Sequence, residues 1–159
     1  MKILVRRMRE AETGRVARIY LKCFRGMKEY GAAKKWITLR HRSHPVSQYF
    51  VATMNGKVVG YMEWIEHGGF RKNSVIELEQ IAIDPKYQGM KIGEALVKES
   101  LAQVVAGIRK RGSRLKLVMV KTSARHGAGK FYRKVLRAKQ VAVIPDFFRS
   151  DEAVMIARK

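Results

Sequence analysis

The stretch from Ile76 to Val97 constrains the fold most strongly, because it combines a buried strand, a polar turn and the start of a long helix. The five apolar residues between positions 76 and 83 form a run short enough for a strand, and Asp84-Pro85 ends it. Beyond the turn, apolar residues recur at steps of three and four residues as far as Ile108. This spacing predicts an amphipathic helix of about five turns that begins between Gln88 and Lys91.

The turn itself, residues 88–93, has the composition of an anion site. The N-terminus of a helix presents unpaired backbone N–H groups and partial positive charge, which favour a phosphate. Gly89 and Gly93 would let an anion approach the backbone without meeting a Cβ atom, and Lys91 can add a full charge. On glycine spacing alone, however, an ordinary β–α corner with two turn glycines explains these residues better.

Two common nucleotide-binding patterns are absent from this turn. The Walker loop requires Gly-Lys-Ser/Thr after its spacer, and the chain contains no such triplet. The dinucleotide fingerprint requires three glycines in G-x-G-x-x-G spacing, and only Gly89 and Gly93 are present. Neither class of nucleotide site is predicted.

The stretch resembles the pyrophosphate loop of the GNAT superfamily of acyl-CoA N-acyltransferases. That loop follows the pattern (Arg/Gln)-x-x-Gly-x-(Gly/Ala) after a strand that ends in a hydrophobic-Asp/His-Pro step. Gln88, Gly93, the preceding residues 81–85 and the following Ala95-Leu96 match, whereas Lys91 stands where the family usually has its first glycine. The resemblance implies that acetyl-CoA is the cosubstrate and that its contacts are Ile81, Ala82, Ile83, Gln88, Gly89, Met90, Lys91, Ile92, Gly93 and Glu94.

The resemblance also implies a single-domain α/β GNAT fold over residues 1–159, with a mixed, mostly antiparallel sheet flanked by helices on both faces. A chain of 159 residues is long enough for one domain with a substantial core and short for two. Periodicity predicts further strands at 3–8, 47–54, 57–66, 115–120, 139–144 and 153–157, and further helices at 10–24 and 28–39. Asn55-Gly56 predicts a hairpin turn, because both positions tolerate positive φ.

A second segment, Arg125 to Leu136, resembles the family pattern Asn-x-x-Ala-x-x-Phe/Leu-Tyr-x-Lys-x-Gly-Phe. Ala128, Phe131, Tyr132 and Lys134 match, whereas Arg125 replaces the usual Asn and Leu136-Arg137 replaces Gly-Phe. In the family the acyl group passes directly from the CoA thioester to an amine. The resemblance assigns Tyr132 the role of general acid toward the departing sulfur. A tyrosine on a helix is otherwise most simply a core residue.

Direct transfer also requires a neutral acceptor amine. A lysine amine with a pKa near ~10.4 costs roughly 4 to 5 kcal/mol to deprotonate at neutral pH, whereas an α-amine near ~8 costs only about 1. Glu77 and Glu79 have the same parity on the central strand, so both should project from one face and could relay a proton through water. Glu77 falls where some family members carry a base. Two carboxylates on a solvated or ion-paired sheet face explain these residues equally well.

No metal cofactor is predicted. Cys23 is the only cysteine, which excludes an internal disulfide and a cysteine-based zinc cluster, and its apolar neighbours favour a small core residue over a nucleophile. His41 and His44 could share a helix face, but no third ligand accompanies them. In the family, the region of the second predicted helix lies over the acceptor pocket, which Trp36 could shape; simple packing of Trp36 is the preferred interpretation.

The net charge of +21 exceeds what one bound cofactor requires. Part of it could steer CoA, and the remainder could attract nucleic acid, ribosomes or acidic protein substrates. A generally solvated basic surface is the alternative, since no known nucleic-acid-binding motif accompanies the charge. No apolar stretch has the length of a membrane span, and the first residues become charged before a secretory segment could form, so a cytoplasmic protein is expected.

Together these features predict an acetyl-CoA-dependent N-acetyltransferase. Its acceptor would be a primary amine on a protein N-terminus, a lysine or a small molecule, and no motif distinguishes among them. The alternative is a basic nucleic-acid- or ribosome-binding module that retains the GNAT fold without turnover. The sequence gives no indication of oligomeric state.

Overall fold

The computed structural model describes residues 2–125 and 127–159. These residues form strands β1 (Leu4–Arg7), β2 (Ser47–Met54), β3 (Lys57–His67), β4 (Asn73–Ile83), β5 (Arg114–Ser123), β6 (Lys139–Ile144) and β7 (Glu152–Arg158), and helices α1 (Thr13–Cys23), α2 (Tyr30–Arg42), α3 (Ile92–Lys110) and α4 (Ala128–Leu136). Two single 3-10 turns, Glu10–Glu12 and Pro85–Tyr87, precede α1 and α3. The predicted α/β class is confirmed.

The described strands form one sheet in the order β1-β2-β3-β4-β5-β7-β6. Pairing is antiparallel between β1 and β2, between β5 and β7, and between β6 and β7, whereas β4 and β5 are parallel. Parallel neighbours need a long crossover, and α3 supplies it between β4 and β5. The prediction of a mixed, mostly antiparallel sheet is therefore confirmed.

The turn between β2 and β3 has the conformation that its sequence predicts. Asn55 has a φ of 49° and Gly56 a φ of 74°, so both central residues lie in the left-handed region. Two consecutive positive φ angles match the twist of a two-residue hairpin. The predicted boundaries of β2, residues 47–54, are those of the structure.

Contacts divide the chain into two compact units. One comprises the segment up to Trp64 together with Gln80–Gln103, and the other comprises Ile65–Glu79 together with Val104–Lys159. In the first unit, α1 and α2 contribute to a core that includes Val16, Ile19, Ile37, Tyr49, Val51 and Tyr61. In the second, α4 packs on β5 and β7, whose buried residues include Val118, Val120, Ala153 and Met155. One domain over residues 1–159 stays a prediction.

The first two helices differ from their predicted limits because of local hydrogen bonds. The Glu12 carboxylate accepts from the Arg9 amide at 2.9 Å and from Arg6, which holds a 3-10 turn before α1 instead of a continuous helix from residue 10. The Glu29 side chain accepts from the Gly31 and Ala32 amides, so α2 begins at Tyr30 and not at residue 28.

The predictions for Trp36 and Cys23, that both are packing residues, have different outcomes. The prediction that Trp36 serves simple packing is wrong, because 53% of this residue is exposed. The Arg40 guanidinium lies 5.8 Å from its ring centroid. Cys23 packs against the core, as expected, and its thiol donates to the Ile83 carbonyl at 3.3 Å. Burial and the nearby Asp84 charge raise the pKa of the Cys23 thiol, which disfavours a nucleophilic thiolate.

Candidate functional site

The turn after β4 is anchored by Asp84. Its carboxylate is buried and accepts hydrogen bonds from Arg15 at 2.8 Å and Lys22 at 3.0 Å, while its own amide donates to the Val59 carbonyl at 2.9 Å. Burial acts to raise the pKa of Asp84, but the hydrogen bonds from Lys22 and the Lys86 amide, with the attraction of Lys22 and Arg15, lower it overall. The end of β4 is therefore fixed by an ionised side chain.

Residues 89–93 connect the turn after β4 to the start of α3, and we call this segment the amide cradle. Gly89 and Lys91 have φ angles of 81° and 57°, and α3 begins immediately afterwards at Ile92. Within the described residues, the amides of 89–93 form no hydrogen bond with another backbone group, whereas the Ala95 amide donates to the Lys91 carbonyl at 3.1 Å. Unpaired amides at the start of a helix are the groups that bind a phosphate.

Individual positions of the cradle explain the family pattern. Lys91 adopts a left-handed conformation that glycine adopts without strain, which accounts for the glycine usually found there. A Cβ atom built on Gly89 would have no neighbour within 4 Å, so the space beside this residue is open. Gly93 lies within the first turn of α3 and is not among the residues with positive φ. Gln88 donates its side-chain amide to the Ile83 carbonyl at 3.2 Å, which ties the cradle to β4.

The pairing between β4 and β5 stops before either strand ends. The last pair is Leu78 with Val120, although Glu79 and Lys121 both lie within their strands. A strand that leaves its neighbour exposes backbone groups that a ligand can use. The Ile83 carbonyl is not one of them, because it already accepts from Cys23 and Gln88.

Tyr132 lies in the middle of α4 and is only 8% exposed. Its ring contacts Phe131 edge-on, with the ring centroids 5.4 Å apart. Burial, with a contribution from the Glu152 carboxylate, raises the pKa of Tyr132 to about 12. No described residue forms a hydrogen bond with the hydroxyl group. The phenol therefore keeps its proton at neutral pH and could donate it to a ligand.

The helix that carries Tyr132 ends one residue later than the family pattern suggests. Arg137 has a φ of 58°, and its amide donates to the Arg133 carbonyl at 3.1 Å, so Arg137 is the left-handed residue after α4. Leu136, which aligns with the family glycine, is instead a buried residue of the helix. The departure from the pattern thus changes the helix end and leaves Tyr132 inside the helix.

Glu77 is buried beside His67 and Lys121, two partners that the sequence did not reveal. Its Oε2 lies 2.7 Å from His67 Nε2, and its Oε1 lies 3.1 Å from Lys121 Nζ. The carboxylate is 3% exposed, whereas 44% of the His67 side chain is exposed. A proton could pass between solvent and Glu77 through this imidazole. Glu79, the other candidate base, is exposed.

Two further properties concern cofactors and membranes. Across residues 2–125 and 127–159, no group of three His, Cys, Asp or Glu side chains is placed to hold a metal ion. Among the same residues, no helix combines the length and the apolar composition needed to cross a bilayer.

Comparison with known sequences supports the predicted family. The sequence profile of the acetyltransferase (GNAT) domain matches residues 45–135, more than half of the chain. An uncharacterized N-acetyltransferase of Methanocaldococcus jannaschii is 30% identical over 125 residues, which cover 74% of this chain and 52% of that protein. The chain thus spans about half the length of the curated relative that it matches.

Solved structures show the same fold. A GNAT-family protein from Desulfovibrio desulfuricans superposes with a TM-score of 0.76 at 22% identity, covering 99% of both chains. A Salmonella typhimurium protein solved with its cofactor acetyl-CoA superposes with a TM-score of 0.68 at 18% identity, covering 98% of this chain and 93% of that one. From the matched profile and this shared fold, we conclude that the chain belongs to the GNAT acetyltransferase family.

Proposed function

We propose that the chain is an acetyl-CoA-dependent N-acetyltransferase that transfers the acetyl group directly to a primary amine. The observation that carries this proposal is the amide cradle, in which positive φ angles at Gly89 and Lys91 immediately precede α3 and the amides of residues 89–93 donate to no other described backbone group. Such a cradle suits a diphosphate, the group that acetyl-CoA offers and that most amine substrates lack. Membership of the GNAT family supports the same cofactor.

Each part of the cofactor would be held by a different part of the chain. The amides of residues 89–93 would bind the diphosphate, and the Lys91 ammonium would add charge. Gln88 would fix the start of the cradle through its bond to Ile83, and Glu94 lies in the first turn of α3. Ile81 and Ala82 would offer backbone groups to the pantetheine arm, as the family resemblance implies. Ile83 would contribute without its carbonyl, which is already bonded.

The transfer step requires one acid and one base. The amine nitrogen forms a bond with the acetyl carbonyl carbon, the carbon–sulfur bond breaks, and the sulfur gains a proton. We assign the donor of that proton to Tyr132, whose raised pKa keeps it protonated. The amine loses its proton to the buried Glu77 through water and His67, or to the exposed Glu79; the contact of Glu77 with His67 favours the first route.

The charge distribution bears on which amine is accepted. The chain has 34 Lys and Arg residues and 13 Asp and Glu residues. Many of these carboxylates are already bonded to a cationic side chain, among them Glu10, Glu12, Glu63, Glu66, Glu77 and Asp84. A polycationic acceptor would be repelled by such a surface. We therefore propose an acceptor amine in an acidic segment, with a peptide α-amine favoured because it deprotonates at lower cost.

Mass spectrometry with acetyl-CoA and three acceptors tests this function. The acceptors are a peptide with an acidic N-terminal segment, the same peptide with a blocked N-terminus and one internal lysine, and spermidine. We expect a single acetyl addition, fastest on the free N-terminus and slowest on spermidine. Absence of acetyl addition to all three, together with no saturable acetyl-CoA binding by calorimetry, would contradict the proposal.

A further inference from the structure

A basic surface lies where β3 turns into β4 and where α3 turns into β5. We call it the basic loop surface; its cations are Arg71, Lys72, Arg109, Lys110, Arg111, Arg114 and Lys116. A cavity of about 610 Å³ opens on it and is lined by His67, Arg71, Lys72 and Lys116, with no carboxylate in its lining. The loop precedes β4, whereas the amide cradle follows it. The charge here is therefore not explained by cofactor binding.

Two cations of this surface are held in position by neutral oxygens. Arg71 donates from Nε to the Gly68 carbonyl at 2.9 Å, and Arg114 donates from Nε to Asn73 Oδ1 at 2.7 Å. These neutral partners orient the guanidinium groups without cancelling their charge. Glu66, in contrast, is buried and bound by Arg111 and Ser74. The exposed part of the surface thus stays positive and would attract a polyanion.

Phe70 distinguishes this surface from a simple patch of charge. It projects from the β3–β4 loop with 78% of its area exposed, and the Arg111 guanidinium lies 5.2 Å from its ring centroid. An exposed aromatic ring contributes little to folding, because it buries little apolar area. Aromatic rings among cations are, however, the stacking platforms on which proteins bind unpaired nucleobases. An acidic protein would use the cations but would not require the ring.

From this arrangement we infer that the basic loop surface binds single-stranded nucleic acid. A base stacks on Phe70, and the flanking phosphates contact Arg71, Lys72 and Lys116. The inference does not depend on acetyl transfer, because Phe70, Arg71, Lys72 and Lys116 lie outside the proposed cofactor and acid–base machinery. His67, which also lines the cavity, has no role in the inferred binding.

Fluorescence anisotropy of the full chain with a labelled single-stranded RNA of about 12 nucleotides tests the inference across about 50 to 200 mM KCl. Replacing Arg71, Lys72 and Lys116 together by Gln should reduce the slope of log Kd against log salt by about 2, since each lost phosphate contact removes roughly 0.7. A matched control replaces the exposed Lys28, Lys57 and Lys98 by Gln, which removes the same charge elsewhere and should leave the slope unchanged.

A second variant tests the stacking platform. Phe70→Ala should weaken RNA binding by about 5- to 100-fold with an unchanged salt slope, because a stacked base is lost and no phosphate contact is. Thermal melting by circular dichroism confirms that each variant is folded.

Three results would overturn the inference. Equal reductions of the salt slope in the two triple variants would show that RNA is attracted by the overall positive charge and not by a defined site. Displacement of the RNA by an oligoglutamate of equal charge as readily as by unlabelled RNA, with no effect of Phe70→Ala, would indicate an acidic protein partner. Binding of duplex RNA as tightly as single-stranded RNA would exclude base stacking.

Discussion

The amide cradle and the Tyr132 and Glu77 side chains belong to one proposed reaction but are constructed in different ways. The cradle depends on backbone angles at Gly89 and Lys91, both of which are exposed. Tyr132 and Glu77 are buried and depend on the identity of one functional group each. The family glycine at position 91 can be replaced by lysine because the left-handed conformation survives the change. A buried acid or base has no such substitute, so the two regions should respond to mutation differently.

Tyr132→Phe should have the largest effect on catalysis. Removing the hydroxyl removes the proposed proton donor while leaving the packed ring, so kcat should fall by about 100- to 1,000-fold. The Kd of acetyl-CoA by calorimetry should stay within about twofold, because the cradle is unchanged. Tyr20→Phe, in a half-buried ring stacked on Phe24, is the matched control and should retain activity. Full activity of Tyr132→Phe would show that the proton comes from elsewhere.

Glu77→Gln should have the next largest effect. The amide keeps the shape of the side chain but cannot accept the proton delivered through His67, so kcat should fall by about 10- to 100-fold. Glu79→Gln is the matched control on the same strand, measured in the same steady-state assay. A larger loss in Glu79→Gln than in Glu77→Gln would transfer the role of base to the exposed carboxylate.

Gly89→Ala should weaken the binding of acetyl-CoA without slowing the chemical step. An L-residue at a φ of 81° is strained by roughly 1 to 2 kcal/mol, so the Kd of acetyl-CoA should rise by about 5- to 30-fold at nearly constant kcat. The space for a Cβ is open, which excludes a steric clash within the protein as the cause. Equal acetyl-CoA affinity in the variant and the parent would mean that the angle at Gly89 does not organise the cradle.

Lys91→Gly and Lys91→Ala separate the backbone of the cradle from its charge. Both lose the ammonium group, but only alanine retains a Cβ in the left-handed region. Urea unfolding should therefore find the glycine variant more stable by about 1 kcal/mol. Equal stability of the two variants would show that position 91 does not impose the conformation.

The smallest expected effect concerns the dependence of activity on pH: activity should not decline in the range where the enzyme is assayed. A group with a raised pKa holds its proton until the pH reaches that value, so Tyr132 should remain protonated to about pH 11. Activity should rise as the acceptor amine loses its proton and should not fall before about pH 10. A descending limb near neutral pH that disappears in Tyr132→Phe would be inconsistent with a pKa of about 12.

Local patterns predicted most of the fold. The limits of β2, the Asn55-Gly56 turn and the stop of β4 at Asp84 all follow from residues close in sequence. The position of β7 between β5 and β6 could not be predicted from local sequence, because strand order depends on contacts between distant segments. The exposure of Trp36 was also missed, since helical spacing does not tell which face of a helix is covered.

The candidate site also has one part that local sequence predicts and one part that it does not. The cradle was predictable because glycine, a helix start and a family pattern occur within six residues. The partners of Glu77 were not, because His67 and Lys121 reach it from β3 and β5, and their registers with β4 are set by tertiary structure.

Backbone NMR with acetyl-CoA tests the central claim most directly, namely that the amides of residues 89–93 bind the diphosphate. We predict saturable shifts of those amide resonances, with a Kd equal to that from calorimetry, and no such shifts with acetylated pantetheine, which lacks the diphosphate. Saturation of acetyl-CoA binding while the resonances of residues 89–93 stay unmoved would contradict the claim.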